Sequence, residues 1–432
     1  MKKRGVVPNS RSYTIMFRSL AGKDNEKPNK KSVDYAYTLI TQLENYQYSI
    51  SQNSALNDKD LNDELSVVPI NAYLTLLAKV AHSHDMIKLF ENMPDTGYNS
   101  ADLFTFTILF QGLLRSSQPK DIEQGMELWK IYEWRLKSYS DYDRNRILPD
   151  SALISNVLRL FSKGDEKVCK FGLNIAHKYL GVPPSSPFGE RKTKVDEFSI
   201  HLNDKVVDSL FHLGISSKRY KIVIRHADHI LGRGIRLSTR VMYFALVACA
   251  NDNNAVKALE FLKVMIGGSN KEKPDSQSFD QVMTACMRSR DFELANLAFE
   301  LLNKEMIPID TRIMSSYLKC ANETNNRENI LNVLDKFEAF NLDQFFKTDD
   351  KNIDKSNSVK KHQHFWEFRL ANALEEGIQK LKNDKGDLTN MTRSQKQRLE
   401  SYKITIDRVK GYTNNTNKEY KNKDRNNVDH ID

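Results

Sequence analysis

The sequence predicts an all-α fold, an α-solenoid built from about eight helix-turn-helix repeats. The first observation is an apolar pattern at positions i, i+3, i+4, i+7 and i+8 that recurs along the chain. The second is the stretch 276–310, where a helical pattern with one apolar face precedes a pattern with two. A lone helical hairpin cannot bury that much apolar surface, whereas stacked hairpins bury it between neighbours.

The apolar template begins at eight places, and we call the first apolar residue of each copy its anchor. The clearest run starts at Met242, Phe279 and Met314, with spacings of 37 and 35 residues. The other starts are Tyr13, Tyr73, Phe106, Ile154 and Asn203, of which the last two are weaker copies. Periods of this length are typical of helical repeat arrays.

Residues 10–346 are predicted to form the array. Insertions rich in polar residues or proline are expected in its connectors, near 49–63, 138–147 and 183–197. The second helix of the first repeat is predicted over 33–44. Loop insertions of this kind leave the stacking of the helices unchanged.

The two ends of the chain differ from the array. Residues 1–9 are interpreted as the end of a preceding repeat, with any targeting segment upstream; the alternative is a targeting segment, because six basic residues precede the first acidic one. After the array we expect a linker over 347–361, C-terminal helices over 362–410 that include a cap, and a disordered tail over 411–432.

Composition limits the function. No window approaches 18 uninterrupted apolar residues, so no membrane span is predicted. The four cysteines form no CxxC pair and are interpreted as small packing residues rather than a zinc or redox site. The net charge of +9 permits a polyanionic partner without requiring one.

Motifs that carry catalysis are missing from the sequence. There is no glycine-rich phosphate loop, no HExxH and no GxSxG. The histidine pairs His82/His84, His226/His229 and His362/His364 have no third ligand in view. We therefore expect binding rather than catalysis, with no metal and no cofactor.

The ends of the repeats suggest a family. Hairpins of 35 residues that end in a short loop, with proline near an acidic residue, resemble pentatricopeptide repeats. The endings are ILPD up to Asp150, KPD up to Asp275 and MIPID up to Asp310, and KRGVVPN before SYTIMFRSL is similar to the family's usual junction. The resemblance is clearest in the last three repeats and weakest in the second, fourth and fifth. It implies a right-handed solenoid.

In that family each repeat reads one RNA base with side chains on the inner face of its first helix. The discriminating residues are the one after the anchor and the last residue of the repeat. Thr107 with Asp150 resembles a purine-reading pair, with guanine favoured. Four other pairs match no simple code: Leu74 with Asp102, Asp204 with Ser238, Tyr243 with Asp275, and Asp280 with Asp310. Thr14, Ser155 and Ser315 are suitable by type, but insertions or the end of the array obscure their partners.

The family also places a residue that packs between successive bases two positions before the anchor. Arg11, Phe104, Arg240 and Arg312 stand there. A guanidinium plane or an aromatic ring can stack on a base, and the arginine also attracts phosphate. The alternative interpretation is an exposed arginine at a helix start.

The resemblance implies a protein that binds single-stranded RNA in the mitochondrial matrix, as in the fungal type of the family. Expected partners are a mitochondrial transcript or ribosomal RNA precursor, processing enzymes, or the small subunit of the mitochondrial ribosome. Expected roles are RNA processing, splicing, stability or translation. The alternative is a protein-binding scaffold like the tetratricopeptide repeats, whose tryptophan, glycine and tyrosine pattern is missing here.

Overall fold

The computed structural model describes residues 8–23, 26–52, 61, 63–116, 118–184, 200–268, 273–339, 357–383, 393, 396–407 and 409–410. These residues form helices joined by turns, and this part of the chain contains no β-strand. The all-α prediction is confirmed. Residues 1–7, most of the predicted insertions near 49–63 and 183–197, most of the linker and all of the tail lie outside the described residues.

Eight helical hairpins follow one another between residues 10 and 339. Each has a first and a second helix, and the third hairpin carries an extra short helix. In order they are α1 (Ser10–Ala21) with α2 (Lys30–Ser51), α3 (Val68–Lys79) with α4 (Ser83–Glu91), α5 (Leu103–Ser116) with α6 (Pro119–Ser138) and the short α7 (Asp141–Arg146), α8 (Ser151–Phe161) with α9 (Glu166–Leu180), α10 (Asp204–Ser216) with α11 (Tyr220–Gly232), α12 (Thr239–Asn251) with α13 (Ala255–Gly267), α14 (Ser276–Ser289) with α15 (Phe292–Lys304), and α16 (Thr311–Glu323) with α17 (Arg327–Ala339).

Six of the eight first helices begin at an Asp or Asn whose side chain accepts a hydrogen bond from the backbone N–H three residues later. This bond satisfies one of the N–H groups that the first turn leaves without a helical partner. The capping residues are Asn9, Asp102, Asp150, Asn203, Asp275 and Asp310. Each cap stands four residues before a buried apolar residue, so the cap and the anchor together set where each first helix begins.

The chain divides into two compact units, Met1–Arg236 and Leu237–Asp432. Within the first unit, the first helices pack side by side in the order α1, α3, α5, α8, α10; within the second, the order is α12, α14, α16. The anchors of these helices are at most 4 % exposed. Each unit therefore has a layer of stacked first helices, with the second helices packed against it.

A basic side chain links neighbouring first helices at their C-terminal ends. It comes from the end of one helix and donates to a backbone carbonyl in the last turn of the preceding one, where the helix dipole favours positive charge. We call these contacts carbonyl bridges. They join Lys79 to Ala21 (3.2 Å), Lys163 to Leu114 (3.1 Å) and Arg288 to Ala250 (2.8 Å).

The second helix of the first hairpin is longer than the sequence predicted. It covers Lys30–Ser51 instead of 33–44, and so it occupies the start of the predicted insertion. Its extra turns are held by tertiary contacts, because the Tyr46 hydroxyl donates to Glu64 (2.7 Å) and the Gln47 amide donates to the carbonyl of Ser66 (3.4 Å).

The predicted insertion near 138–147 is folded. Helix α7 occupies most of it, and Arg146 of this helix donates to the carbonyl of Gly97 at 2.6 Å. Arg135 of α6 pairs with Asp95 at 2.6 Å. The insertion therefore folds back onto the connector between α4 and α5 and fixes it.

A ninth helical hairpin follows the eight. Helix α18 (Asn357–Asn383) packs along α16, and a helix over residues 396–407 packs against α17. The Tyr402 hydroxyl donates to the carbonyl of Leu334 (3.3 Å), and Arg398 pairs with Asp335 (2.9 Å). The predicted C-terminal helical cap is confirmed.

All four cysteines are buried and unbonded to one another. Burial raises the pKa of the Cys286 thiol to about 12, so this sulfur stays protonated at neutral pH. None of the described helices is long and apolar enough to cross a membrane. Among the described residues, no group of three or more His, Cys, Asp or Glu side chains could hold a metal ion.

Candidate nucleic-acid interface

The capping residue provides a common register for the first helices. We count the capping residue as position 0, which puts the anchor at +4. The residue two places before the anchor is then +2, and the residue directly after the anchor is +5. The predicted stacking residues lie at +2. The predicted base-reading residues lie at +5 and at position 0 of the following hairpin.

The +2 positions form a row of mostly exposed side chains on each unit. Arg11 and Arg240 are exposed, and Phe104 keeps 70 % of its surface accessible. Lys205 and Gln277 occupy the same position in the fifth and seventh hairpins, and both are exposed. All hairpins except the second begin at an Asp, Asn or Ser at position 0. In these hairpins the +2 residue is a cation, an amide or an aromatic ring, with the exception of Ala152 in the fourth, and it is never an acid.

Arg312, at +2 of the eighth hairpin, is held by its own cap. Its guanidinium donates twice to Asp310, from Nε at 3.0 Å and from Nη2 at 2.7 Å, and it approaches the Ser276 hydroxyl at 3.5 Å. The two-point contact fixes the plane of the guanidinium but offsets its charge. Arg312 therefore offers a flat stacking surface more than a free charge.

Two of the residues at +5 are partly exposed to solvent. Thr107 is half-buried, and its hydroxyl donates to the carbonyl of Leu103 one turn earlier (2.8 Å). Tyr243 is also half-buried, and burial, followed by the nearby Asp280 and Asp275, raises the pKa of its hydroxyl. Both side chains keep a face toward solvent at the place where the resemblance puts a base.

Three other residues at +5 are buried. Thr14 is 7 % exposed, Ser155 is fully buried and Ser315 is 2 % exposed. The hydroxyl of Ser155 lies 2.8 Å from that of Ser209 on the next first helix. These hydroxyls are covered in this conformation by the close packing of adjacent first helices, which one helix alone does not reveal. Their role as RNA contacts stays a prediction.

The register predicted for the fifth hairpin was wrong by four residues. Asn203 is the cap of α10 and not its anchor, so the anchor is Val207 and the residue at +5 is Asp208 rather than Asp204. Asp204 is the first residue of the helix. Asp208 is 7 % exposed and accepts from Arg159 of α8 at 2.8 Å. The correct register could have been found from the sequence, because an Asp or Asn stands four residues before most of the other anchors.

Asp280, at +5 of the seventh hairpin, is a buried carboxyl. It is 7 % exposed, and the Ser316 hydroxyl donates to it at 3.1 Å. Burial raises the pKa of Asp280, while the Ser316 bond and the positive charges of Arg312 and Arg369 lower it. Like Thr14, Asp280 is covered by its neighbours in this conformation, and its role in base reading stays a prediction.

The predicted base-reading residues at the ends of the repeats are also the N-caps of the following first helices. Asp150 accepts from the backbone N–H of Leu153 (2.7 Å) and Asp275 from that of Ser278 (2.9 Å), while Asp310 caps α16. Ser238 stands at the same N-cap position of α12. Base reading by these aspartates would have to use the part of the carboxylate that the cap leaves accessible.

Several solved structures resemble this chain. Two are of the pentatricopeptide repeat protein PPR10 in complex with an 18-nucleotide psaJ RNA element; each has 13 % identity, a TM-score of 0.44, and coverage of 96 % of this chain and 56 % of that chain. PPR10 from maize matches with a TM-score of 0.37. The chain thus spans a little over half of these proteins. No family model and no curated protein matches it. Similarity at this level does not establish a shared function.

Proposed function

We propose that this chain is a pentatricopeptide repeat protein that binds single-stranded RNA along its first helices. The observation that carries the proposal is the row at +2, where Arg11, Phe104, Lys205, Arg240 and Arg312 recur at one place in a helical repeat. Aromatic rings and guanidinium planes stack on bases of any identity, and cations attract phosphate. A repeated array sets these groups at regular intervals, as an extended strand requires.

In this mechanism the protein holds RNA and does not cleave it. Side chains at +2 pack against the bases, and partly exposed groups such as Thr107 and Tyr243 contact base edges. The bound segment is kept from pairing with other RNA and from nucleases. We place this activity in the mitochondrial matrix, in the processing, splicing, stability or translation of a transcript or ribosomal RNA precursor, with enzymes or the ribosomal small subunit as further partners.

A protein-binding scaffold is the second candidate function. A groove of about 570 Å³ between α4 and α6 is lined by apolar side chains that include Phe90 and Ile131. Its charged lining has an acidic excess, with three glutamates and one lysine: Glu91, Glu123, Glu127 and Lys120. A basic amphipathic helix of a partner protein would match this apolar floor and acidic rim.

Binding of the full chain to a fluorescein-labelled, randomised pool of 20-nucleotide single-stranded RNA tests the proposal. We expect a saturable complex at low salt whose affinity falls as salt rises, and weaker binding to duplex RNA. The triple variant Arg11→Ala, Phe104→Ala, Arg240→Ala should lose about tenfold or more in affinity, since each stacked base contributes about 1–3 kcal/mol.

A control variant removes the same number of cations and aromatic rings, two and one, from the second helices. It combines Lys170→Ala, Lys263→Ala and Trp134→Ala, all at exposed positions. We expect it to keep most of the affinity. The absence of any saturable complex at low salt would favour the scaffold, and equal losses in both variants would show attraction by net charge without a defined interface.

A further inference from the structure

Helix α18 lies outside the eight repeats, yet it joins the layer of first helices in the second unit. The side-chain amide of Asn322, near the end of α16, donates to the carbonyl of Ala373 at 2.8 Å. Lys380 in turn donates to the carbonyl of Asn322 at 2.6 Å. This is the carbonyl bridge that links successive first helices, so α18 stands next to α16 as the first helix of a further repeat would.

A glycine permits the close approach of the two helices. A Cβ atom at Gly377 would lie 2.9 Å from Oδ1 of Asn322, nearer than real Cβ contacts allow. Leu370, Ala371 and Leu374 are fully buried on the same helix. Helix α18 is therefore seated firmly against the array rather than loosely attached.

The bridging lysine also sets a register for α18. In the two bridged hairpins that begin at an Asp cap, the fourth and the seventh, Lys163 and Arg288 each stand eleven residues after the +2 residue; in the second hairpin, which has no such cap, Lys79 stands eight residues after Asn71. Eleven residues before Lys380 is Arg369. Arg369 thus occupies the place in α18 that corresponds to the +2 row, and it lies near enough to Asp280 of α14 to affect that carboxyl electrostatically.

Two aromatic rings accompany this arginine. The Arg369 guanidinium lies 4.9 Å from the ring centre of Trp366 and 5.7 Å from that of Phe365. The two ring centres are 5.3 Å apart and the rings are nearly perpendicular. Phe365 keeps 52 % of its surface exposed. The three side chains form a cationic aromatic cluster at the end of the row.

We propose that Phe365, Trp366 and Arg369 form an additional nucleobase-binding platform, which holds an unpaired nucleotide at one end of the RNA bound to the repeats. The proposal rests on the proposed function, because the ligand is a further base of the same strand. Phe365 supplies the stacking surface. Arg369, positioned by Trp366, supplies a cation for the phosphate or a second stacking plane.

The surroundings favour a nucleotide over a protein segment. The cluster combines a cation with an exposed ring and continues a row in which an arginine or an aromatic ring recurs. Protein-docking grooves present a continuous apolar floor, as between α4 and α6. At the cluster the apolar residues Leu370 and Leu374 are instead buried in the helix interface.

The test uses the full chain and the tightest-binding sequence selected from the randomised single-stranded pool. The variant Phe365→Ala, Arg369→Ala should weaken binding about tenfold, because the bound strand loses one stacked base. Its nuclease footprint should shorten by one or two nucleotides at one end only. Phe365→Tyr keeps the ring and should restore affinity and footprint when Arg369 is intact.

A matched control, Trp134→Ala with Lys263→Ala, removes one aromatic and one cationic side chain from the second helices. It should leave affinity and footprint unchanged. Thermal unfolding followed by circular dichroism shows whether each variant remains folded. A second readout is tryptophan fluorescence in a Trp134→Phe background, where Trp366 and the fully buried Trp129 remain: RNA binding should quench the emission in the parent and not in the Phe365→Ala, Arg369→Ala variant.

The outcomes separate the two proposals. If the wild-type chain forms no saturable RNA complex, both fail. If it binds RNA, but the double variant keeps full affinity and footprint and Trp366 fluorescence is unaffected by RNA, then the platform is overturned and RNA binding by the repeats stands. A footprint shortened evenly at both ends, or an equal loss in the control, would also overturn it.

Discussion

The first and second helices of the hairpins differ in how far their lengths vary. The eight first helices have 11 to 14 residues. The second helices range from 9 residues in α4 to 22 in α2, although the last four have 13 each. Within a unit, an inner first helix such as α5 or α14 packs between first helices on both sides, whereas a second helix has an outer face. The array therefore restricts the length of a helix only where neighbouring helices cover it on every side.

Core substitutions should show this difference most strongly. Phe106 of α5 is fully buried, with ring centres of Phe90 and Tyr132 at 5.5 and 5.0 Å. Phe106→Ala should lower the free energy of unfolding by about 3–5 kcal/mol, because it leaves a cavity. The matched change Phe90→Ala, in α4, should cost less, since Phe90 lines an open groove. Urea unfolding measures both, and an equal or larger loss at Phe90 would contradict the comparison.

The next largest effect concerns a second helix and depends on pH. His226 of α11 is 2 % exposed and donates to the carbonyl of Pro183 (2.9 Å). Burial lowers its pKa to about 4; the bond to Pro183 opposes this shift, and the charges of Arg225, His229 and His177 add to it. The unfolded chain binds a proton near pH 6.5, where the folded one does not. Stability from this group is therefore complete above pH 6.5 and is lost as pH falls toward 4, by about 3 kcal/mol.

His226→Gln removes the titrating group from this site. The free energy of unfolding should then fall less steeply between pH 6.5 and 4 than in the parent. His84→Gln, at an exposed position, is the control and should keep the parental slope. Parallel curves for the parent and His226→Gln would show that the buried histidine does not determine acid sensitivity.

A capping residue allows structure and recognition to be separated. Asp150→Ala should destabilise by about 1 kcal/mol, because the first turn of α8 loses its acceptor. Asp150→Asn keeps an acceptor and should leave stability close to that of the parent. If Asp150 also reads a base with Thr107, Asp150→Asn should change base preference at one nucleotide of selected RNA. A preference unchanged by both Asp150→Asn and Thr107→Ala would limit Asp150 to capping.

The smallest effect is expected at a carbonyl bridge. Lys79 donates to three carbonyls at the end of α1, those of Ala21, Gly22 and Lys23, at 3.0–3.2 Å. Lys79→Met keeps the aliphatic stem and should cost about 1 kcal/mol or less, because the contact is partly solvated. Lys263→Met, on an exposed second helix, should cost nothing measurable. A loss no greater than that of Lys263→Met would show that these bridges do not stabilise the stack.

The sequence predicted the helical hairpins well because stacking repeats one apolar pattern. It missed the cap of α10, because Val207, Leu210 and Phe211 fit the template from two different starts, 203 and 207, and only the polar Asn203 decides between them. Helix α7 was missed for a related reason. Its six residues carry no apolar stripe, and it is held by contacts such as Arg146 with Gly97 from a distant part of the chain.

The candidate site was only partly predictable. Exposure at +2 follows from the pattern, since this position is opposite the buried stripe. Burial at +5 does not, because it depends on the neighbouring hairpin: Ser155 is covered where Ser209 approaches it, while Thr107 stays half open. The cluster around Arg369 could not be foreseen either. Only the structure shows that α18 aligns with α16.

The seating of α18 on α16 also bears on self-association. A stack of identical units has a bare apolar flank at its last member, and such a flank accepts another copy as readily as it accepts its own neighbour. Leu370, Ala371 and Leu374 fill that flank from within the same polypeptide. A chain that ends before residue 357 should therefore expose this flank and self-associate more readily than the intact one, which analytical ultracentrifugation of the two would measure.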